Sequence, residues 1–181
     1  MKNSMWIITA VLLVLSIGIN AQENWTTKYI YPESYNSQSK SSVGLKYFSA
    51  SIGNAILYGW RHVNYNSEKF FVGGTGYTGQ MGDISATGTF SYGGLVLGYD
   101  KRLGNRVHAD YGVVAGGGGG KYTEAGTTTS GGGIILEPWF GLNWRIGKTT
   151  DFNCAATYLY MPNNDKFTGY TVALRFDFAL Q

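Results

Sequence analysis

The amino-acid sequence predicts an all-β protein, a closed antiparallel up-and-down transmembrane β-barrel of about eight strands that follows a cleaved signal peptide. Three observations predict this fold: apolar and polar side chains alternate along the chain, short and long connections alternate, and charges are few. Charged residues make up 14% of the chain, against about 25% in ordinary soluble domains. An alternating sheet explains why the overall hydropathy is nevertheless near neutral, because its two faces cancel in the average.

The N-terminus predicts a secretory signal peptide. Lys2 precedes an apolar run at residues 6–19, and Ala21 offers a small residue for cleavage before Gln22. The run is too short for a convincing spanning helix, which needs about 20 apolar residues, so an uncleaved anchor is the weaker alternative. The predicted division of the chain is signal peptide 1–21, loose N-terminal arm 22–42 and barrel 43–181.

A repeat of two residues carries the strand prediction, because successive side chains of a strand point to opposite faces. One face of residues 134–146 is wholly apolar and comprises Ile134, Leu136, Pro138, Phe140, Leu142, Trp144 and Ile146. The same alternation recurs over residues 92–100, 106–115, 151–160 and 170–180. Three earlier segments complete the strands, although the facing before residue 69 stays open: 43–52, 55–65 and 69–80.

The connections between these strands also follow a pattern. Residues 101–105 and 147–150 predict tight turns, whereas 81–89, 119–132 and 161–166 predict longer polar loops. Short turns at one end and longer loops at the other are typical of a membrane barrel with its short turns in the periplasm.

A soluble β-sandwich or a lipocalin-like barrel is the alternative, in which the apolar face points inward. Three features favour an outward apolar face. The opposite faces are poor in lysine and rich in glycine, which suits the narrow lumen of an eight-stranded barrel. The apolar faces also end in aromatic residues near the turns, as an interfacial girdle would: Tyr99, Trp144, Phe152 and Phe178.

With these features the chain resembles small outer-membrane β-barrels of Gram-negative bacteria. It is similar to the eight-stranded membrane domain of outer-membrane protein A and its short single-domain relatives, over about residues 43–181, including the aromatic-rich last strand "YTVALRFDFALQ". The resemblance implies an outer-membrane location, a monomer, contact with outer-membrane lipids and lipopolysaccharide, and insertion by the outer-membrane assembly machinery. One departure is the terminus, because the last strand of the family commonly ends in an aromatic residue and this chain ends in Leu180 and Gln181.

Several ionisable residues share the polar faces and would meet in the lumen. Acids and bases confined there are expected to pair, because unpaired buried charges are costly. Most lie near the short turns or the C-terminus, which predicts a plug of ion pairs in the periplasmic half, while Glu137 lies deeper with Arg61 as its expected partner. The predicted lumen charge network is structural and comprises Arg61, Asp100, His108, Asp110, Glu137, Arg145, Asp151, Arg175 and Asp177.

The favoured function is non-enzymatic, in envelope integrity or in surface contact through the longer loops. A lipid A-modifying enzyme and a soluble barrel that binds an apolar ligand are the alternatives. A Ser–His–acid site needs side chains within hydrogen-bond reach, and His62 and His108 both fall near the predicted periplasmic end. Two distant histidines and Cys154 do not form a metal-ligand cluster, so no catalytic, metal or cofactor-binding residue is predicted.

The stretch "AGGGGGKY" at residues 115–122 resembles a phosphate-binding loop, but Tyr122 stands where Ser or Thr is needed. Such a loop also needs a helix after it, and the following residues predict none. We therefore expect neither nucleotide nor nucleic acid as a partner, since the lysines and arginines are scattered. The glycines are instead predicted to lie where a strand leaves the membrane.

Pro138 interrupts the best strand pattern. Proline cannot donate a ladder hydrogen bond, so the sequence predicts a local bulge here, with Glu137 or Trp139 directed into the lumen.

Overall fold

The computed structural model describes residues 39–66, 69–82 and 87–180, which form a closed barrel of eight antiparallel strands in chain order. The signal peptide and most of the N-terminal arm lie outside the described residues. The strands are β1 Ser39–Ala50, β2 Gly53–Tyr65, β3 Phe70–Met81, β4 Thr87–Arg102, β5 Val107–Glu124, β6 Thr127–Arg145, β7 Thr150–Leu159 and β8 Gly169–Leu180, with a short 3₁₀ helix at Asp165–Phe167. No helix in these ranges is long and apolar enough to cross a membrane.

Closure of the barrel comes from pairing of the first and last strands, which runs from Ser39 opposite Leu180 to Ala50 opposite Gly169. Following the pairing register once round the barrel leads from Ser39 to Ser49, ten residues further along β1, which is the stagger that strand tilt requires. We call the end with Ser39 and Leu180 the lower end, and the opposite end the upper end.

Apolar side chains cover the outer wall, as predicted, and the buried charged side chains face the lumen together with apolar ones such as Phe48 and Phe90. Leu95 is 70% exposed on the outer wall, whereas Arg175 and Asp177 are buried inside. The facing of β1, which the sequence left open, follows the same rule, because Val43, Leu45 and Tyr47 are exposed and the lysines beside them are buried. This facing is the reverse of the one that a soluble barrel needs.

β1 also begins earlier than expected. Ser39 to Ser42 pair with both β2 and β8, so these residues of the predicted loose arm belong to the barrel. Their pairing brings Lys40 into the lumen.

The upper hairpin of β5 and β6 corrects a second prediction. Residues 119–132 are not a loop, because the two strands stay paired up to Glu124 opposite Thr127. The two glycine runs face each other across this hairpin, with Gly119 opposite Gly132. The turn at residues 125–126 needs positive φ angles at both positions, 48° and 80°. Glycine and threonine give no apolar–polar alternation, which is why the sequence pattern stopped short of the strand ends.

The bulge predicted at Pro138 is wrong. The β6–β7 ladder runs up to Trp139 opposite Thr157 and resumes as a bridge between Leu136 and Tyr160, in the same register. The proline therefore removes one pair from the ladder without inserting an extra residue. Glu137 and Trp139 point into the lumen by ordinary strand alternation, and both are buried.

Candidate functional site: the closed lumen

The lumen is filled in two layers, and the upper layer is apolar. Phe90 stacks on Phe48 with ring centroids 5.3 Å apart and on Phe167 with centroids 5.6 Å apart. Phe167 belongs to the 3₁₀ helix in the β7–β8 connection and is fully buried, as is Met161 from the same connection. This connection therefore folds inward and closes the upper mouth of the barrel.

Glu137 lies below this layer at the centre of a buried hydrogen-bond cluster. Its carboxylate receives hydrogen bonds from Lys46 Nζ at 2.6 Å and from Thr157 Oγ1 at 2.6 Å, both at Oε1. Tyr92 Oη donates to Oε2 at 2.8 Å and accepts a hydrogen bond from Lys46. The partner of Glu137 is thus Lys46 of β1, and the expected pairing with Arg61 is wrong.

Arg61 instead contacts two aspartates that lie closer to the lower end of the barrel. Its guanidinium lies 3.3 Å from Asp110 Oδ2 and 3.4 Å from Asp177 Oδ2. Arg175 donates to the same Asp110 oxygen at 3.1 Å. Asn153 Nδ2 donates to Asp110 Oδ1 at 3.0 Å. Asp110 therefore accepts from two guanidinium groups and one amide while it is 2% exposed.

A third cluster lies near the lower end. Lys40 Nζ is 3.0 Å from Asp151 Oδ2 and 3.9 Å from Asp100 Oδ2. Arg145 Nε donates to Asp151 Oδ1 at 3.2 Å, and the imidazole of His108 lies 3.1 Å from Asp100 Oδ1. All nine residues of the predicted network thus make contacts in the lumen, but they form separate clusters.

Charges of opposite sign balance across these contacts. The basic members are Lys40, Lys46, Arg61, Arg145 and Arg175, and the carboxylates are Asp100, Asp110, Glu137, Asp151 and Asp177. Glycines make room for them: a Cβ on Gly44 would lie 2.6 Å from Arg175 Cγ, and one on Gly141 would collide with Asp110 Oδ1. A cavity of about 10 Å³ beside Lys46 and Glu137 remains, which has room for about one water molecule.

Sequence reasoning missed Lys40, Lys46, Tyr92 and Phe167. Both lysines could have been found, because residues 39–47 alternate strictly between the lysine-bearing face and the face of Val43 and Leu45. Phe167 gave no local signal, since it lies in a polar connection and stacks on Phe90 of the distant strand β4.

The outer wall holds one pair that matters for the enzyme alternative. Ser41 Oγ lies 2.9 Å from His62 Nδ1, near the lower end. Neither side chain contacts a carboxylate among the described residues. A nucleophile and a base therefore meet without the third group that orients such a base. Over the same described ranges, no group of three His, Cys, Asp or Glu residues is placed to hold a metal ion.

No protein-family model and no curated protein matches the sequence. Solved structures do match the fold. Neisserial surface protein A gives a TM-score of 0.63 at 11% identity, over 78% of this chain and 96% of its own. The N-terminal β-barrel domain of Pseudomonas aeruginosa OprF gives 0.59 at 11% identity, over 77% and 95%. Ail, the attachment invasion locus protein of Yersinia pestis, gives 0.54 at 17% identity, over 77% and 96%.

Identities this low show a common fold and nothing finer. The chain covers nearly the whole length of each of these proteins, and the strand order and closure described above supply the architecture. The chain therefore has the fold of the small eight-stranded outer-membrane β-barrels.

Proposed function

We propose that this chain is an integral outer-membrane protein with a closed lumen, which acts in envelope integrity or surface contact through its upper end and does not catalyse a reaction. The observation that carries this proposal is the double closure of the lumen, by balanced ion pairs below and by a layer of phenylalanines above. Among the described residues, an interior filled in this way is expected to leave no continuous aqueous path.

The outer wall supports the membrane location. The apolar face of β8 runs from Tyr170 to Leu180. At about 3.3 Å per residue and a tilt of about 45°, it spans roughly 23 Å, close to the apolar band of a membrane barrel. Aromatic contacts mark both borders: Tyr158 and Tyr170 lie 5.0 Å apart near the upper end, and Phe152 and Phe176 lie 5.4 Å apart near the lower end.

The partners follow from this placement. The wall would contact outer-membrane lipids and lipopolysaccharide, and the chain would be inserted as a monomer by the outer-membrane assembly machinery. The surface-contact role draws additional support from Ail, whose name describes attachment and invasion.

Fractionation tests the location. We expect the protein in the outer-membrane fraction, where unboiled and boiled samples should migrate differently on a denaturing gel because a closed barrel resists detergent until heated. A protein recovered in the soluble periplasmic fraction would contradict the proposal.

Planar-bilayer recording tests the closed lumen. The purified protein is expected to give no conductance or a very small one, because ions would have to cross both the charged clusters and the phenylalanine layer. A general porin in the same bilayer serves as the positive control. A large, steady conductance would show that the lumen is open.

Mass spectrometry of lipid A tests the absence of catalysis. Cells that express the wild type, cells that express Ser41→Ala and cells without the gene are expected to have the same acyl count, because the Ser41–His62 pair lacks an acidic partner. A changed acyl count that the substitution abolishes would make this pair a catalytic site.

A further inference from the structure

One side of β6 is left without a partner strand over its upper part. β7 pairs with β6 up to Trp139, and the last backbone pairing between the two chain segments is the bridge from Leu136 to Tyr160. Beyond Leu136, β6 continues to Thr127 with β5 as its neighbour on the other side. No other strand among the described residues meets this free side, which we call the β6 edge, residues 127–135.

Pro162 explains why the edge is free. If the register of β7 continued past Tyr160, Pro162 would stand opposite Ile134, where it has no N–H to offer. The chain turns instead, and the backbone N–H of Asn164 donates a hydrogen bond to the Met161 carbonyl at 3.0 Å. It then buries Met161 and Phe167 over the lumen. The segment that could have covered the β6 edge is thereby used to close the upper mouth.

The β6 edge presents a regular row of backbone donors and acceptors. The Leu136 amide donates to the Tyr160 carbonyl at 2.9 Å, and the Tyr160 amide donates back at 2.8 Å. Because this direction alternates along an antiparallel strand, every second residue above Leu136 points its N–H and C=O the same way. These residues are Thr128, Ser130, Gly132 and Ile134.

The usual protection of an edge strand is missing here. Proteins blunt exposed edges with lysine, proline or bulges, but residues 127–135 read TTTSGGGII and contain neither charge nor proline. Their register with β5 is also unbroken, so there is no bulge. Three threonines favour the extended conformation. Gly132 is exposed and leaves the backbone accessible, whereas Asn164 and Asn163 of the β7–β8 connection lie against Gly131 and Gly133 on the lumen side.

We propose that the β6 edge is a docking site for an extended, uncharged peptide segment of another protein, which adds as a strand and continues the β6–β7 ladder where β7 ends. Main-chain hydrogen bonds would supply the affinity, as in other cases of strand addition. This names the kind of partner for the surface contact proposed above, and it rests on that proposal only in placing the edge outside the cell.

A second copy of this chain does not fit the same edge. Strands of such barrels tilt by about 35–45° from the barrel axis. Two copies in one membrane are related by a twofold axis along the membrane normal, which gives the second β6 the opposite tilt. The two edges would then cross at about 70–90°, whereas neighbouring strands of a sheet differ by about 20–25°. A segment that can align freely, such as an exposed peptide of a different protein, meets no such constraint.

Fluorescence anisotropy with a defined probe tests the proposal. The probe is a labelled ten-residue peptide of alternating threonine and valine, added to the purified full-length protein in detergent micelles. The control probe has the same sequence with every backbone nitrogen methylated, so it cannot form a ladder. We expect the protein to bind the first probe and not the second.

A matched pair of substitutions at one position gives the sharper result. Ser130→Pro removes an N–H that points to the free side and breaks no ladder bond inside the protein, whereas Ser130→Val keeps that N–H and removes the hydroxyl. We expect Ser130→Val to bind the probe like the wild type. Ser130→Pro is expected to bind it up to about tenfold more weakly, because the proline variant lacks one ladder hydrogen bond. The heat-dependent gel shift checks that both variants still form the barrel.

Three outcomes would overturn the proposal: no binding of the unmethylated probe, equal binding of both probes, or equal binding of Ser130→Pro and Ser130→Val. If Ser130→Pro does not fold, the two probes with the wild type still decide the question. Probe binding is measured in micelles and does not depend on where the protein fractionates. The docking proposal can therefore be contradicted while the proposed outer-membrane location is supported, and the reverse also holds.

Discussion

Replacing Asp110 by leucine is expected to lower the free energy of unfolding by about 3–5 kcal/mol, because it breaks a buried ion pair. The carboxylate neutralises the guanidinium groups of Arg61 and Arg175 and accepts from Asn153. Leucine would leave two buried cations with Asp177 as their shared counter-ion. Unfolding in urea, followed by tryptophan fluorescence in lipid vesicles, measures the change.

Asp165→Leu is the matched control for Asp110→Leu. Asp165 lies in the upper β7–β8 connection and is exposed, so its replacement should change the free energy of unfolding by less than about 0.5 kcal/mol. A loss below about 1 kcal/mol for Asp110→Leu would mean that water enters the lumen and solvates the two arginines.

Leu95→Arg is expected to destabilise the protein by about 2–4 kcal/mol in lipid vesicles, because it places a charge on the lipid-facing wall. Leu95 is 70% exposed and lies between Gly74 and Ala115 of the neighbouring strands. On a water-soluble barrel the same exposed position would tolerate arginine within about 0.5 kcal/mol. The change in the free energy of unfolding therefore distinguishes an outer wall that faces lipid from one that faces water.

Thr128→Arg controls for the effect of an added arginine as such. Thr128 is exposed near the tip of the β5–β6 hairpin, above the apolar band. Its replacement should be nearly neutral in the same vesicles. If both arginines are neutral, the outer wall does not face hydrocarbon.

The sequence predicted the facing of β4 to β8 because each of these strands contains a segment in which one face is largely apolar, at residues 92–100, 106–115, 134–146, 151–160 and 170–180. It could not delimit β5 and β6, whose upper halves are built from glycine and threonine and look the same on both faces. The facing of β1 was not predicted because this strand carries Lys40 and Lys46, and lysine side chains are normally exposed to water. A lysine on the polar face of a narrow barrel is buried instead, and its cost is met by an acid across the lumen.

Pairing inside the lumen was less predictable than facing. Strand alternation shows that Glu137 and Arg61 both point inward, but their relative depth depends on the stagger of the closed barrel, to which every ladder contributes. Lys46 of β1 reaches Glu137 across the lumen at 2.6 Å, although β1 and β6 are not neighbours in the sheet. The closure of the upper mouth by Phe167 likewise depends on contacts between distant parts of the chain.

The two lysines of β1 also bear on how the barrel is assembled. Lys40 and Lys46 meet Asp151 and Glu137, which follow them by 111 and 91 residues. These contacts cross the interior, so a sheet that has not yet joined β1 to β8 carries acids and bases without partners in a medium that penalises each of them. A half-inserted sheet gains little from its ionic groups, and their stabilisation arrives together when the first strand meets the last. Because these ion pairs cross the lumen, closure of the barrel is expected to be a cooperative step, and a stable open intermediate is disfavoured.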